Sequence, residues 1–217
     1  MSIDPYKILK VHPNADLEEI KKAYRKLVKI HHPDKGGDSQ VMLEINSAWE
    51  ILKIKNKKLN LNEVNNLEVP NKKEYKKETN NYYSSEDIKK WFKHIYLPID
   101  KLLGQIINPL GSQIRELSAD PYDQLLMDSF CLYLEKSKHK MIKIKKIYTS
   151  FASPSIIRDF SLDLYHCLSQ VEDGINELDR YTMGYVDNYL HDGKSMISLA
   201  RKKRKFLQSN KKEWLTL

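Results

Sequence analysis

Apolar residues return every three or four positions along most of this chain, and nowhere do they alternate one by one. A spacing near 3.6 is that of a helix with one face in a core, whereas a half-buried strand repeats every second residue. The pattern predicts an all-α protein. Seven glycines and eight prolines in 217 residues are too few for a doubly wound sheet with glycine-rich binding loops. That length suits one or two domains. No stretch approaches the roughly 18 apolar residues of a membrane span. The opening MSIDPYKILKV lacks the apolar run of a secretory signal. A cytoplasmic protein is expected.

The first 55 residues read as a short helix followed by an antiparallel helical pair. Asp4-Pro5 is a start signal, with the carboxylate as cap and proline at the first helical position. A short helix over Tyr6–Val11 should stop at His12-Pro13, because a residue before proline is pushed out of helical geometry. Asp16 with Glu19 three positions later approximates a capping box. From there Leu17, Ile20, Ala23, Tyr24, Leu27, Val28 and Ile30 form an apolar stripe, with Lys22, Arg25, Lys26 and Lys29 opposite. A third helix should begin at Asp38 or Ser39 and turn Ile45, Ala48, Trp49 and Leu52 inward. The expected core joins these to Tyr6, Leu9, Ile20, Tyr24 and Leu27. Between the long helices, Pro33 stops the first, and Gly36-Gly37 permits a sharp return.

Residues 56–83 change character, with eight asparagines and six lysines in 28 positions. Such a segment cannot bury enough apolar surface to order itself, so a flexible linker is expected. Helical periodicity resumes from Ser84 or Ser85 and runs to the end, giving a second, all-helical domain over 84–217. Breaks are expected near Pro98, at Pro109-Leu110-Gly111, at Asp120-Pro121 and at Ser153-Pro154. Asp192-Gly193 reads as a turn before a last amphipathic helix over Lys194–Leu207.

Two distant cysteines, Cys131 and Cys167, fall in helical apolar patterns and read as buried free thiols, as in a reducing compartment. His94, His139, His166 and His191 lack metal-ligand spacing. Asp159 and Asp163 share a helix face, but two carboxylates make a weak ion site. No metal, cofactor or catalytic residue is expected, and the chain does not read as an enzyme. The net charge of +8 divides evenly between 1–83 and 84–217, and clusters locally at Lys21–Lys29, Lys136–Lys146 and Arg201–Lys212. The run Arg201, Lys202, Lys203, Arg204, Lys205 is a candidate patch for an acidic partner or an anionic membrane surface. Nothing resembles a helix-turn-helix, RNA-recognition or zinc-finger module, which disfavours nucleic acid.

On residue chemistry alone, the loop His32-Pro33-Asp34-Lys35 stays open between a structural turn, a binding surface and an acid–base pair. No neighbouring nucleophile or oxyanion nest supports catalysis. The wider constellation decides more. Asp4-Pro5-Tyr6, Leu9, the stretch Ile20–Leu27, His32-Pro33-Asp34-Lys35 and the stretch Ile45–Leu52 together resemble a J domain of the DnaJ family, over residues 2–55. The resemblance implies a co-chaperone that docks on a DnaK-like 70-kDa heat-shock chaperone. Lys22, Arg25, Lys26 and Lys29 would orient the encounter, and His32, Pro33 and Asp34, with Lys35 beside them, would trigger ATP hydrolysis by the partner.

Trp49 stands where this family usually has tyrosine, and Met42 where phenylalanine is common. The Gly/Phe-rich segment and the four-fold CxxCxGxG zinc pattern are both absent, which places the chain with divergent J proteins. The stretch Tyr165–Gly174 resembles the helical C-terminal part of short cyanobacterial J proteins. The expected function is stimulation of the partner's ATPase, with a client recruited through 84–217. The alternative is a J-like scaffold acting mainly through its C-terminal domain, peripheral at a membrane.

Overall fold

The computed structural model describes residues 4–31, 36–64 and 85–215. Every regular element among them is helical. The chain divides into two compact units, Met1–Lys77 and Glu78–Leu217.

In the first unit, α1 (Pro5–Ile8) starts where Asp4 Oδ1 accepts from the Tyr6 amide at 3.0 Å. It is shorter than expected, because Lys10 adopts left-handed backbone (φ 55°) two residues before His12-Pro13. Helix α2 (Leu17–His31) opens on a reciprocal capping box. The Glu19 amide donates to Asp16 Oδ1 at 2.8 Å, and the Asp16 amide to Glu19 Oε2 at 3.2 Å. Two orphan amides are thereby satisfied. Helix α3 (Ser39–Val64) returns against α1 and α2.

Leu9, Ile20, Tyr24, Leu27, Val28, Ile45, Ala48, Trp49 and Leu52 are buried between these helices. The Tyr24 and Trp49 rings stack at 5.2 Å, and the Tyr24 hydroxyl donates to Asn46 Oδ1 at 2.9 Å. Burial, then the nearby Glu50 carboxylate, pushes the Tyr24 phenol up to about 12. Two expectations shift. Tyr6 is only half-buried, with the Lys55 ammonium 5.1 Å from its ring centre. Ile30 is 56% exposed; Val28 fills the interior position instead. Helix α3 also continues nine residues past 55, into the stretch read as linker. The rest of that stretch, 65–83, lies outside the described residues.

The second unit opens with α4 (Ser85–Trp91), a π turn (Phe92–Tyr96) and α5 (Leu97–Ile107) as one continuous rod. Pro98 was expected to break it. Instead the preceding turn widens, so that the Leu97 amide reaches back five residues to the Phe92 carbonyl. A proline ring crowds the carbonyl four residues before it, and the wider turn relieves this without ending the helix. Trp91, Phe92 and Tyr96 project from this stretch onto Phe160 in edge-on contacts, with centroids 5.0–6.2 Å apart.

Helices α6 (Leu110–Leu117) and α7 (Gln124–Ser150) follow, and both α5 and α6 pack on α7. Asp123 caps α7, its Oδ1 accepting from the Leu126 amide at 2.9 Å. A 3-10 turn at Ser155–Ile157 leads into α8 (Arg158–Gly184), which pairs along its length with α9 (Asp187–Leu215). The chain reverses at Tyr185, in left-handed backbone, and not at Asp192-Gly193. Gly193 lies inside α9 for a different reason. A Cβ there would stand 2.7 Å from Leu178 Cγ and 2.9 Å from the Gly174 carbonyl. Its missing side chain lets two helices approach.

Candidate chaperone-docking face

Helix α2 carries acid in its first turn, Glu18 and Glu19, and base in its last, Lys29 and His31. Both placements suit the helix dipole. Its solvent side presents Lys22 and Lys26 fully and Lys29 in part. Lys21 is half-buried and paired to Glu18 at 2.7 Å.

Arg25 departs from the expected face. It is only 3% exposed, although the spacing of charges grouped it with the three lysines. On a helix it lies about 60° from Lys22 and about 60° from Val28, at the border of the apolar stripe. The packing takes it inward, so its guanidinium is not part of the exposed strip.

His32, Pro33, Asp34 and Lys35 lie outside the described residues. The chain around them shows how the return is made. Gly36 has φ +73°, and a Cβ on Gly37 would collide with the His31 carbonyl. Glycine is required at both positions, one for its backbone region and one for space. Asp38 then caps α3, Oδ1 accepting from the Gln40 amide at 2.7 Å. Helix α3 then packs back on α2.

Within the basic run Arg201–Lys205, three side chains have partners inside the second unit. Arg204 reaches α5, where Nε donates to Asp100 Oδ1 at 2.7 Å and Nη2 to Oδ2 at 3.1 Å, and Gln208 donates to the same carboxylate. A partly buried bidentate pair of this kind fixes α9 on α5. Arg201 Nη2 donates to the Ile107 carbonyl at 2.8 Å, and Lys203 lies 3.7 Å from Asp163. Lys202 and Lys205 remain exposed. Asp100 stands 104 positions from Arg204, so no local pattern could have shown that this member of the run is structural.

Among the described residues, no group of three or more His, Cys, Asp or Glu is placed to hold a metal ion, and no helix is long and apolar enough to cross a membrane. Cys167 is buried against α9, its thiol donating to the Ala200 carbonyl at 3.4 Å. Burial raises it from 9.0 to about 11, against the opposing pull of Lys203 and Arg204, with Asp100 adding to the rise. Its contribution to stability is complete below pH 9 and is lost as pH climbs through 11. At pH 8 the folded chain should carry about a hundredfold less Cys167 thiolate than an ordinary thiol. Iodoacetamide followed by mass mapping should label the half-buried Cys131 first, and Cys167 only after unfolding. Equal labelling of both in the folded chain would contradict this packing.

Two family models cover these units. The DnaJ domain matches residues 4–62, and the C-terminal domain of the cyanobacterial DnaJ chaperone matches residues 83–215. The chain belongs to the J-domain proteins that carry this C-terminal domain. Curated relatives align over short stretches of the chain. A tetratricopeptide repeat and J domain-containing co-chaperone of Mycosarcoma maydis is 51% identical over 51 residues, 24% of this chain and 9% of that protein. DnaJ protein homolog 2 of Allium porrum is 51% identical over 47 residues, 22% of this chain and 11% of its own length. The chaperone protein DnaJ of Finegoldia magna is 51% identical over 57 residues, 24% and 15% respectively. The J-domain protein thus matches about a tenth of the length of such relatives, and no solved structure matches it.

Proposed function

We propose that this J-domain protein stimulates ATP hydrolysis by a DnaK-like 70-kDa heat-shock chaperone and brings it a client held by the helical unit, residues 84–217. One observation carries the reading: in a J-domain hairpin, exposed Lys22 and Lys26 stand on the helix that runs directly into His32-Pro33-Asp34. Lysines so placed steer an acidic partner surface and raise the association rate. His32, Pro33 and Asp34 then act on the partner, with Lys29 and Lys35 flanking them. Arg25 serves the hairpin from within. The protein needs no nucleotide of its own. It acts by favouring one state of the partner, which requires unequal contacts with the partner's states. Its free thiols, Cys131 and Cys167, suit work in the cytoplasm.

Single-turnover ATP hydrolysis by the partner tests the electrostatic part. Lys22→Glu/Lys26→Glu should require about tenfold more protein for half-maximal stimulation at low salt. The deficit should shrink as ionic strength rises. A deficit independent of salt would show that the lysines do not steer the encounter.

A further inference from the structure

The second unit contains a groove between α6 and α9 with a volume of about 230 Å³. Leu110, Ile114 and Ile197, all buried, form its apolar floor, and Arg115, Lys194 and Arg201 stand around it. The helix register explains the convergence. Lys194, Ile197, Ser198 and Arg201 follow at three- and four-residue steps along one face of α9, and Leu110 and Ile114 lie four apart on α6. No carboxylate lines the groove. Arg201 is held in place by its bond to the Ile107 carbonyl at 2.8 Å. Arg115 and Lys194 are exposed.

A second observation points the same way. Gly111 sits in the first turn of α6 on the groove wall, without left-handed backbone. A Cβ there would meet nothing nearer than Arg115 Nη1 at 3.9 Å. Glycine within a helix costs up to about 1 kcal/mol relative to alanine, and here the protein's own packing does not require it. What its absent side chain preserves is open space at the mouth of the groove.

We propose that this groove binds an acidic, amphipathic peptide segment. One apolar side chain would rest on Leu110, Ile114 and Ile197, and flanking carboxylates would pair with Arg115, Lys194 and Arg201. The volume of about 230 Å³ lies below the roughly 300–1,000 Å³ usual for small-molecule sites. The concave apolar floor lies below the cations, where a flat bilayer cannot reach it. Nucleic acid would need a longer row of phosphate contacts and would gain nothing from the floor. The proposal deepens the reading of residues 84–217 as the recruiting unit, and rests on it.

The test is fluorescence anisotropy of the full-length chain with a fluorescein-labelled, end-capped peptide Glu-Asp-Glu-Leu-Phe-Glu-Asp-Glu. Binding should weaken about tenfold or more when its acids are replaced by amides, and likewise with Arg115→Glu/Lys194→Glu in the protein. Gly111→Leu should fill the groove and abolish binding while leaving the thermal melt unchanged. Lys143→Glu, at an exposed position of α7 that does not line the groove, should bind as wild type. Equal binding by all variants, no binding by wild type, or preferential binding to phosphatidylserine vesicles through the same residues would overturn the proposal. Partner ATPase stimulation, measured on the same proteins, separates the two claims. Stimulation without peptide binding removes the groove and leaves the co-chaperone reading. Peptide binding without stimulation does the reverse.

Discussion

Gly193→Leu is expected to cost the second unit about 4 kcal/mol or more, while Gly111→Leu, the same change in another helix, costs almost nothing. At Gly193 even a Cβ would stand 2.9 Å from the Gly174 carbonyl, an atom that cannot swing aside. From the opposite helix, a Cβ on Gly174 would lie 2.6 Å from Ile197 Cγ1. The two glycines therefore set the approach of α8 and α9, and a leucine must force the helices apart. Overpacking of a core costs typically about 1–3 kcal/mol. Separating these helices also weakens the Cys167–Ala200 contact and the seats of Ile197 and Leu178, which lifts the estimate. Domains this size are stabilised by about 5–15 kcal/mol in all. A fall in Tm of about 12 °C or more follows, with Gly193→Ala intermediate. Circular dichroism melts of the three variants provide the check. Equal melts for Gly193→Leu and Gly111→Leu would mean that α8 and α9 do not meet through their glycines.

Gly193 also shows where sequence reasoning reached its limit. An Asp-Gly pair is a common turn signal, and only the helix opposite reveals that the glycine answers a packing demand. Pro98 is similar: its conflict with the preceding turn is certain from chemistry, but a π turn and a break relieve it equally well. The helical character, the α1–α3 core and the capping box at Asp16 were legible because each rests on neighbours within four residues. Arg25 was misplaced because it stands on the border between faces, where one turn of periodicity cannot decide. Arg204, in the basic run at Arg201–Lys205, was grouped with its exposed neighbours because charge normally seeks water. Asp100, brought in from a distant helix, provides a partly buried partner that no local signal announces. Arg115 and Lys194, two of the three exposed cations of the α6–α9 groove, were missed for the same reason. They stand 79 positions apart, and no pattern within either helix marks them.

The proposed role of the loop after α2 is to act on a partner's ATPase. The large effect expected there comes from a single side chain. A proline restrains its own backbone whatever its surroundings, and Gly36 and Gly37 make the turn into α3, so the proposed role of His32 can be tested through its side chain alone. His32→Gln keeps a polar side chain of related length and leaves Pro33, both glycines and the lysines of α2 in place. Folding and the initial encounter should therefore survive, with an unaltered melt. The most direct measurement is single-turnover ATP hydrolysis by a DnaK-like partner preloaded with ATP, with wild type and His32→Gln compared at equal concentration. The rate should rise and saturate with wild type and stay at the partner's basal value with His32→Gln. Equal acceleration by both, or none by wild type with its cognate partner, would contradict it.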